Sequence, residues 1–544
     1  MARTPWAGLL RRAARMAAIA RATGAPLDEV IDRERERRCD AARRRLLAGG
    51  SGAVAALALG ACARTPSRPS SSAEEVVVVG AGIAGLSCAW RLQQAGVRVR
   101  VFEAQDRVGG RMLSLRGHFA DGQVCELGGE LIDSGHLRMH ALAAELGLEL
   151  DDLASDPTAA FGEVWYCGGR RYDEHDILVA FAPLAEAIAR DAASLPEADI
   201  TWNAPGGSEA LDGETISAWL DRNGASGWLR RLIEVAYTTE MGLECEEQSA
   251  LNLLTFIDPG IDRFRIFGES DERFHVRGGN DRIVTALAAR LGNAVHTGHV
   301  LESVRAGADG RYTLAFARGA AVSDVRADRV VLAIPFTTLR RVRLDVELPV
   351  RKRRAIDELG YGTNAKLMIG FGERVWRTRH ASSGSSFSDL RLQTTWETSR
   401  LQDGAAGILT NFTGGRHGVA IGEGTPRLQA DDAARQLEAL WPGIAAARAG
   451  MREARFHWPS HAWSLGSYAC FRPGQWTGLR GAIGEPVGQL HFAGEHCSFD
   501  NQGFMEGGCE SGELVAAALL GRAHASFDVV RAWRRRLAAV AADA

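Results

Sequence analysis

Glycines at positions 80, 82 and 85 in VVVVGAGIAGL, followed by an acid, Glu103, at the end of the next apolar run, are residue types at a spacing that suits one task. The first glycine permits a tight turn, the second lets the backbone approach a pyrophosphate, and the third lets the following helix pack closely on a strand. That helix would direct unpaired N–H groups and the positive end of its dipole at the phosphates. Glu103, with Ala104 beside it, would meet ribose hydroxyls. Gly80, Gly82, Ala84, Gly85, Glu103 and Ala104 are therefore candidates for holding a dinucleotide, and by spacing alone that dinucleotide is either NAD or FAD.

A lysine is the second chemical signal. The chain has two lysines, Lys352 and Lys366, and the rest of its 64 cationic side chains are arginine. Lys352 stands in the charge run VRKRRA and is expected to snorkel into solvent. Lys366 stands in YGTNAKLMIG among apolar residues. A compact ammonium with three donors can hold one water and can shift its pKa when buried, whereas a guanidinium is bulkier and stays charged. Two aromatics in Gly-rich strings, Tyr468 in WSLGSYACFRPG and Phe504 in QGFMEGG, complete the chemical inventory.

The string EAQDRVGGRM, residues 103–112, resembles the second signature of FAD proteins of the glutathione-reductase type, as found in amine oxidases. Further along, CELGGELIDSG (125–135), FHVRGGNDRIVTALAARL (274–291), RVVLAIPFTTLRRVRLDVELP (329–349) and HFAGEHCSFDNQGFMEGGCESGELVA (491–516) follow in the same order. Over most of its length after residue 75 the chain thus resembles the flavin monoamine oxidase family, which includes monoamine, polyamine and L-amino-acid oxidases. The resemblance implies FAD. It implies that Arg107 and Arg111 lie near the pyrophosphate, that the chain passes close to the cofactor at Gly110, and that Gly128 and Gly129 run beside the flavin ring. It also implies that Val300 makes a backbone contact to the adenosine part and that Gly494 and Glu495 reach the cofactor. Gly503, Phe504 and Met505 would open a helix whose amides meet the flavin's pyrimidine carbonyl.

The same resemblance assigns the substrate side. Tyr468 and Phe504 would form an aromatic slot against the flavin, and Lys366 would hold a water at flavin N5. Relatives that bind FAD covalently carry a cysteine before the first aromatic; here the residue is Ser467, and Cys470 is three positions beyond it, so non-covalent FAD is expected. L-Amino-acid oxidases place an arginine just after the glycine pair. Leu131 stands there, and Glu130 adds negative charge, which favours a cationic amine over an amino acid unless Arg472 reaches the pocket. The reaction implied is hydride transfer from the amine's α-carbon to flavin N5, hydrolysis of the imine, and passage of electrons to O₂ to give H₂O₂. Alternatives are an L-amino-acid oxidase, another FAD-dependent oxidase or desaturase of this fold, and an exported flavoprotein without enzymatic activity.

The elements that must position these residues are a Rossmann-like α/β domain of glutathione-reductase type interleaved with an α+β substrate domain. The expected FAD-binding parts are 76–150, 276–345 and 490–525. The expected substrate parts are a helical cap, 151–275, and 346–489. A basic helix at 526–544 ends the chain. The net charge of −3 gives no general field for nucleic acid. The nine cysteines include no CxxC pair, so no metal site is expected. Oligomeric state is not fixed by these features, and a homodimer stays open.

Residues 1–62 read as a separate module. Leu9, Leu10, Ala13, Met16, Ala17 and Ala20 recur at helical spacing among arginines, as in a basic amphipathic helix that touches a membrane or partner, or packs on the main body. ARRRLLAGGSGAVAALALGAC, 42–62, pairs arginines with an uncharged run too short to span a bilayer, and resembles a twin-arginine export signal. LGAC resembles a lipoprotein cleavage box ending at Cys62. The expectation is export, to the periplasm or to a lipid anchor, with a cytoplasmic or peripheral membrane location as the alternative. Residues 63–75 are a Pro/Ser-rich linker.

Overall fold

Four consecutive valines, Val76–Val79, suit a strand buried on both faces, the position expected at the centre of a parallel sheet. In the computed structural model, which describes residues 75–196, 198–256 and 270–521, that is where they lie. The basic N-terminal helix, the twin-arginine-like stretch, Cys62, the linker up to residue 74 and the basic C-terminal helix fall outside the described residues. Among the described residues no helix is long and apolar enough to cross a membrane.

The central sheet is made of β1 (Glu75–Val79), β2 (Arg98–Phe102), β3 (Val295–His296), β4 (Arg329–Leu332) and β6 (Leu490–Phe492), while β5 (Ala365–Phe371), which comes between β4 and β6 in the chain, belongs to another sheet. The order is β6-β4-β1-β2-β3, all parallel, so the expected α/β class with a glutathione-reductase-type core is met. Along β1 the valines alternate. Val76 and Val78 face a core that includes α1 (Ile83–Gln94) and α2 (Met505–Leu519), while Val77 and Val79 face a second core shared with the four-stranded sheet of 300–345.

Helix α2 lies tightly on α1 because its facing residues lack side chains. A Cβ on Gly512 would stand 2.1 Å from the Ala84 carbonyl oxygen, and one on Gly508 would stand 2.7 Å from Ile83 Cγ2. The GGCESG string is thus a packing device that brings two helix N-termini to one place.

The second body is a seven-stranded sheet in which β5 lies between Glu453–His457 and Gly407–Thr413, antiparallel to both. All seven residues of β5 are buried, including Lys366. The strand Gly162–Cys167 joins the same sheet through Ser382–Ser388, and the helices of 174–254 pack a separate core around Phe181, Trp219 and Tyr237.

Candidate active site

Two helix N-termini converge on one cavity of about 470 Å³. At the first, Gly80 turns with φ +101°, a conformation that favours glycine. Gly82 is the N-cap residue of α1, and a Cβ there would meet nothing within 4 Å. Gly85 closes the turn: its Cβ would lie 1.9 Å from the Gly80 oxygen. Glu103 ties the loop to β2, its Oε2 accepting from Ala81 N at 2.7 Å and its Oε1 from Gln105 N at 3.0 Å. At the second terminus Phe504 precedes α2, and Met505 packs where a Cβ on Gly129 would come within 2.9 Å of its Sδ.

The cavity wall includes Gly80, Gly82, Ala84, Glu103, Ala104, Gly110, Arg111, Gly128, Gly129, Val300, Lys366, Gly494, Glu495, Gly503, Phe504 and Met505. Three expected residues stand elsewhere. Gly85 acts behind the turn. Arg107 is drawn away from the wall, its guanidinium donating to the carbonyls of Val108 (3.2 Å) and Gly110 (2.9 Å), so it braces the glycine turn. Tyr468 lies one layer back, where a Cβ on Gly503 would come within 3.3 Å of its ring, and its hydroxyl donates to the backbone oxygen of Glu240. On the wall itself stand Ser467 and Phe504.

Sequence reasoning passed over His496, which lines the cavity fully enclosed and has neither ring nitrogen hydrogen-bonded. Burial pushes its pKa down to about 4, so the ring is neutral. A buried imidazole with open donor and acceptor positions is a polar partner for a bound group. Its place directly after Glu495 in FAGEHC was the available signal. Trp458, His461 and Trp463 in WPSHAW also line the cavity. Together with the space at Gly82 and the two helix N-termini, these groups fit a dinucleotide carrying an anionic middle and a polar ring.

Charge at the wall is held in pairs. Burial alone would raise the Glu495 carboxyl, but Arg111 at 2.8 Å and the amide of Gly503 hold it below the usual range. Arg111 also donates to the Ser467 oxygen at 2.8 Å. Lys366 Nζ meets Glu130 Oε2 at 2.6 Å and donates to the Glu126 carbonyl at 3.2 Å, both partners being buried. Those two bonds account for two of its three protons. Trp396 Nε1 (2.9 Å) and the Thr398 hydroxyl serve the other Glu130 oxygen.

Several expectations change accordingly. Glu130 is not a free negative charge facing a substrate, because Lys366 compensates it. Arg472 is half-exposed and paired with Glu247 at 3.2 Å, away from the wall. Lys352 is not solvated: it is buried, donates to the Ile483 carbonyl at 2.7 Å and sits 3.9 Å over the Phe492 ring, and burial pushes its pKa down to about 8. Apolar helix neighbours pulled it inward from a run that reads as surface charge.

Glu126 is fully enclosed, and burial pushes its carboxyl up to about 8 despite bonds from Asn280 N (2.9 Å) and the Ser114 hydroxyl (2.7 Å). Between the ordinary carboxyl value of about 4.3 and this raised value, the folded protein holds a proton that the unfolded chain lacks, so stability falls as pH rises through that window. Glu126→Gln can keep both bonds and removes the titration. Thermal melts of the holoprotein should therefore nearly coincide for variant and parent at pH 4, with the variant melting increasingly higher toward pH 8. Parallel melting curves would contradict the buried neutral acid.

A family profile described as flavin containing amine oxidoreductase matches residues 83–520. An L-amino acid dehydrogenase of Synechocystis is 26% identical over 481 residues, covering 83% of this chain and 96% of that protein. The flavin-containing amine oxidase A of Canis lupus familiaris is 26% identical over 467 residues, covering 82% of this chain and 85% of its own. The structure of cyclohexylamine oxidase from Brevibacterium oxydans superposes with a TM-score of 0.71 at 23% identity, covering 83% of this chain and 99% of that one.

Proposed function

Because the chain belongs to the flavin-containing amine oxidoreductase family, FAD is its cofactor, and we propose that it oxidises a primary or secondary amine without a carboxylate, a monoamine or a polyamine, with O₂ as acceptor. The observation that carries this reading is the pairing of charge at the wall. Lys366 is taken by Glu130 and Arg111 by Glu495, so neither is left for a substrate carboxylate. Leu131 is apolar where an amino-acid oxidase would have arginine, and Arg472 is held by Glu247.

FAD, when bound, supplies the hydride acceptor and the route for electrons to O₂. The protein's part is positioning. The N-terminus of α1 suits the pyrophosphate and that of α2 suits the flavin's pyrimidine edge. Phe504 and Phe412 give the wall apolar aromatic surface, which keeps water out and favours the neutral form of an amine. The third proton of Lys366 is available to a water in the cavity. Ser467 stands on the wall with its hydroxyl donating to Asn364 Oδ1 at 2.7 Å, and Cys470 is buried against Asn252, which supports non-covalent FAD.

A peroxide-coupled screen under air tests the substrate class. Turnover is expected with at least one monoamine or polyamine and not with L-amino acids; turnover with L-amino acids alone would overturn the reading. The L-amino acid dehydrogenase relative makes that arm of the screen a necessary one.

A further inference from the structure

Lys366 lines the flavin cavity, yet both of its hydrogen-bond partners belong to residues that line a different cavity. That second cavity, of about 530 Å³, lies behind the pair and is walled by Glu126, Glu130, Thr398, His275 and Asp151, among others. The Lys366–Glu130 ion pair is therefore the partition between the two spaces. Side-chain exposure rises outward from it: 4% for Lys366, 5% for Glu130, 12% for His275, 13% for Asp151 and 60% for Arg277, which also lines the second cavity.

Every group along this line can carry or pass a proton. Glu130 Oε1 accepts from the Thr398 hydroxyl, which contacts the Thr410 hydroxyl at 2.7 Å. His275 Nε2 stands 3.5 Å from Asp151 Oδ2 and makes no hydrogen bond, which leaves it open toward a water. A space of this size with polar walls holds water. The other titratable groups facing the pair and His275 are Glu126, Cys125 and Arg400.

The proposed oxidation needs such a route. Conversion of an alkylammonium to its iminium removes one hydride and one proton, and reduction of O₂ to H₂O₂ returns the hydride to oxygen and takes up one proton. One proton leaves and one enters in each turnover, at a site whose wall carries aromatics and two ion pairs. We propose that the second cavity is the proton port of the flavin cavity, with protons passing between solvent and the reacting site through Asp151 and His275, cavity water, Glu130 and Lys366. Glu130 and His275 are positioning and relay residues, acting through Lys366. The inference rests on the oxidase reading above.

The test is stopped-flow mixing of reduced holoenzyme with O₂ in weakly buffered solution, recording flavin absorbance and, with a pH-indicator dye, proton uptake. Glu130→Gln is expected to slow both by about 100-fold, the scale of a lost proton-transfer group, with a raised solvent deuterium isotope effect. Glu130→Asp should restore most of the rate. His275→Gln, farther out, should slow uptake and raise the isotope effect while leaving the flavin midpoint potential, read by spectroelectrochemistry, at the wild-type value. Wild-type uptake in both Glu130→Gln and His275→Gln overturns the port, and if Lys366→Met is slow in the same experiment the lysine's own role survives that failure. A wild-type rate in Lys366→Met instead overturns the lysine as the inner end.

Discussion

Replacing Lys366 with methionine should lower the rate at which reduced holoenzyme reacts with O₂ by about 10²–10³-fold, the scale measured for removal of one preorganised donor, and slow amine turnover with it. The argument is local. Methionine fills the strand position in β5 but removes the one proton donor on Nζ that its bonds to Glu126 and Glu130 leave for the cavity. The substitution also strands Glu130 as a buried acid, at a cost of about 3–5 kcal/mol. The two effects separate in the double variant Lys366→Met with Glu130→Gln, which removes the stranded charge. Its melting temperature should recover while its reaction with O₂ stays slow. Stopped-flow reoxidation and thermal denaturation read the two quantities, and an unchanged O₂ reaction in the single variant sinks the assignment of Lys366.

The second large effect lies at the glycine turn, where two neighbouring glycines should fail in different ways. In Gly85→Ala the new Cβ falls 1.9 Å from the Gly80 oxygen, and Gly80 cannot retreat, because its own position is fixed at φ +101° against the Ala333 carbonyl. The turn must open, with an overpacking cost of about 1–3 kcal/mol or more, and the protein should purify colourless and less stable. In Gly82→Ala the Cβ meets no protein atom within 4 Å and the backbone at φ −77° accepts it. That variant should keep its circular dichroism and fold normally, yet lose FAD, because the methyl occupies the space left for the pyrophosphate. The ratio of absorbance at the flavin band to the protein band measures both. Wild-type flavin content in Gly82→Ala would show that the cofactor does not pass over this residue.

How far these features could be read in the sequence depended on range. The turn at Gly80–Gly85 and the acid at Glu103 are local, so their spacing alone located them. The ordered motifs carried the family and the FAD. Charge pairing was not legible, because Glu130 and Lys366 are 236 positions apart and nothing along the chain announces that one cancels the other. Lys352 failed for a related reason: a run of cations looks solvated until the helix face that carries it is known. Arg107 turns its guanidinium onto the glycine turn and Tyr468 its hydroxyl onto the Glu240 backbone, orientations that were not legible, since a motif gives the neighbourhood of a side chain and not the direction in which it points. His496 was missed beside a residue that was found.

The packing of α2 on α1 bears on how the molecule comes to exist. Ser87 and the carbonyl of Cys509 touch across 422 positions of sequence, and the cavity lacks the part of its wall that α2 supplies until the two helices meet. During synthesis Ser87 emerges 422 residues ahead of its partner Cys509. A contact of such long range closes late, since the loop entropy must be met before the contact returns anything. A dinucleotide held between the two helix N-termini would bridge elements that lie about as far apart in the sequence, and would stabilise the folded chain over the unfolded one.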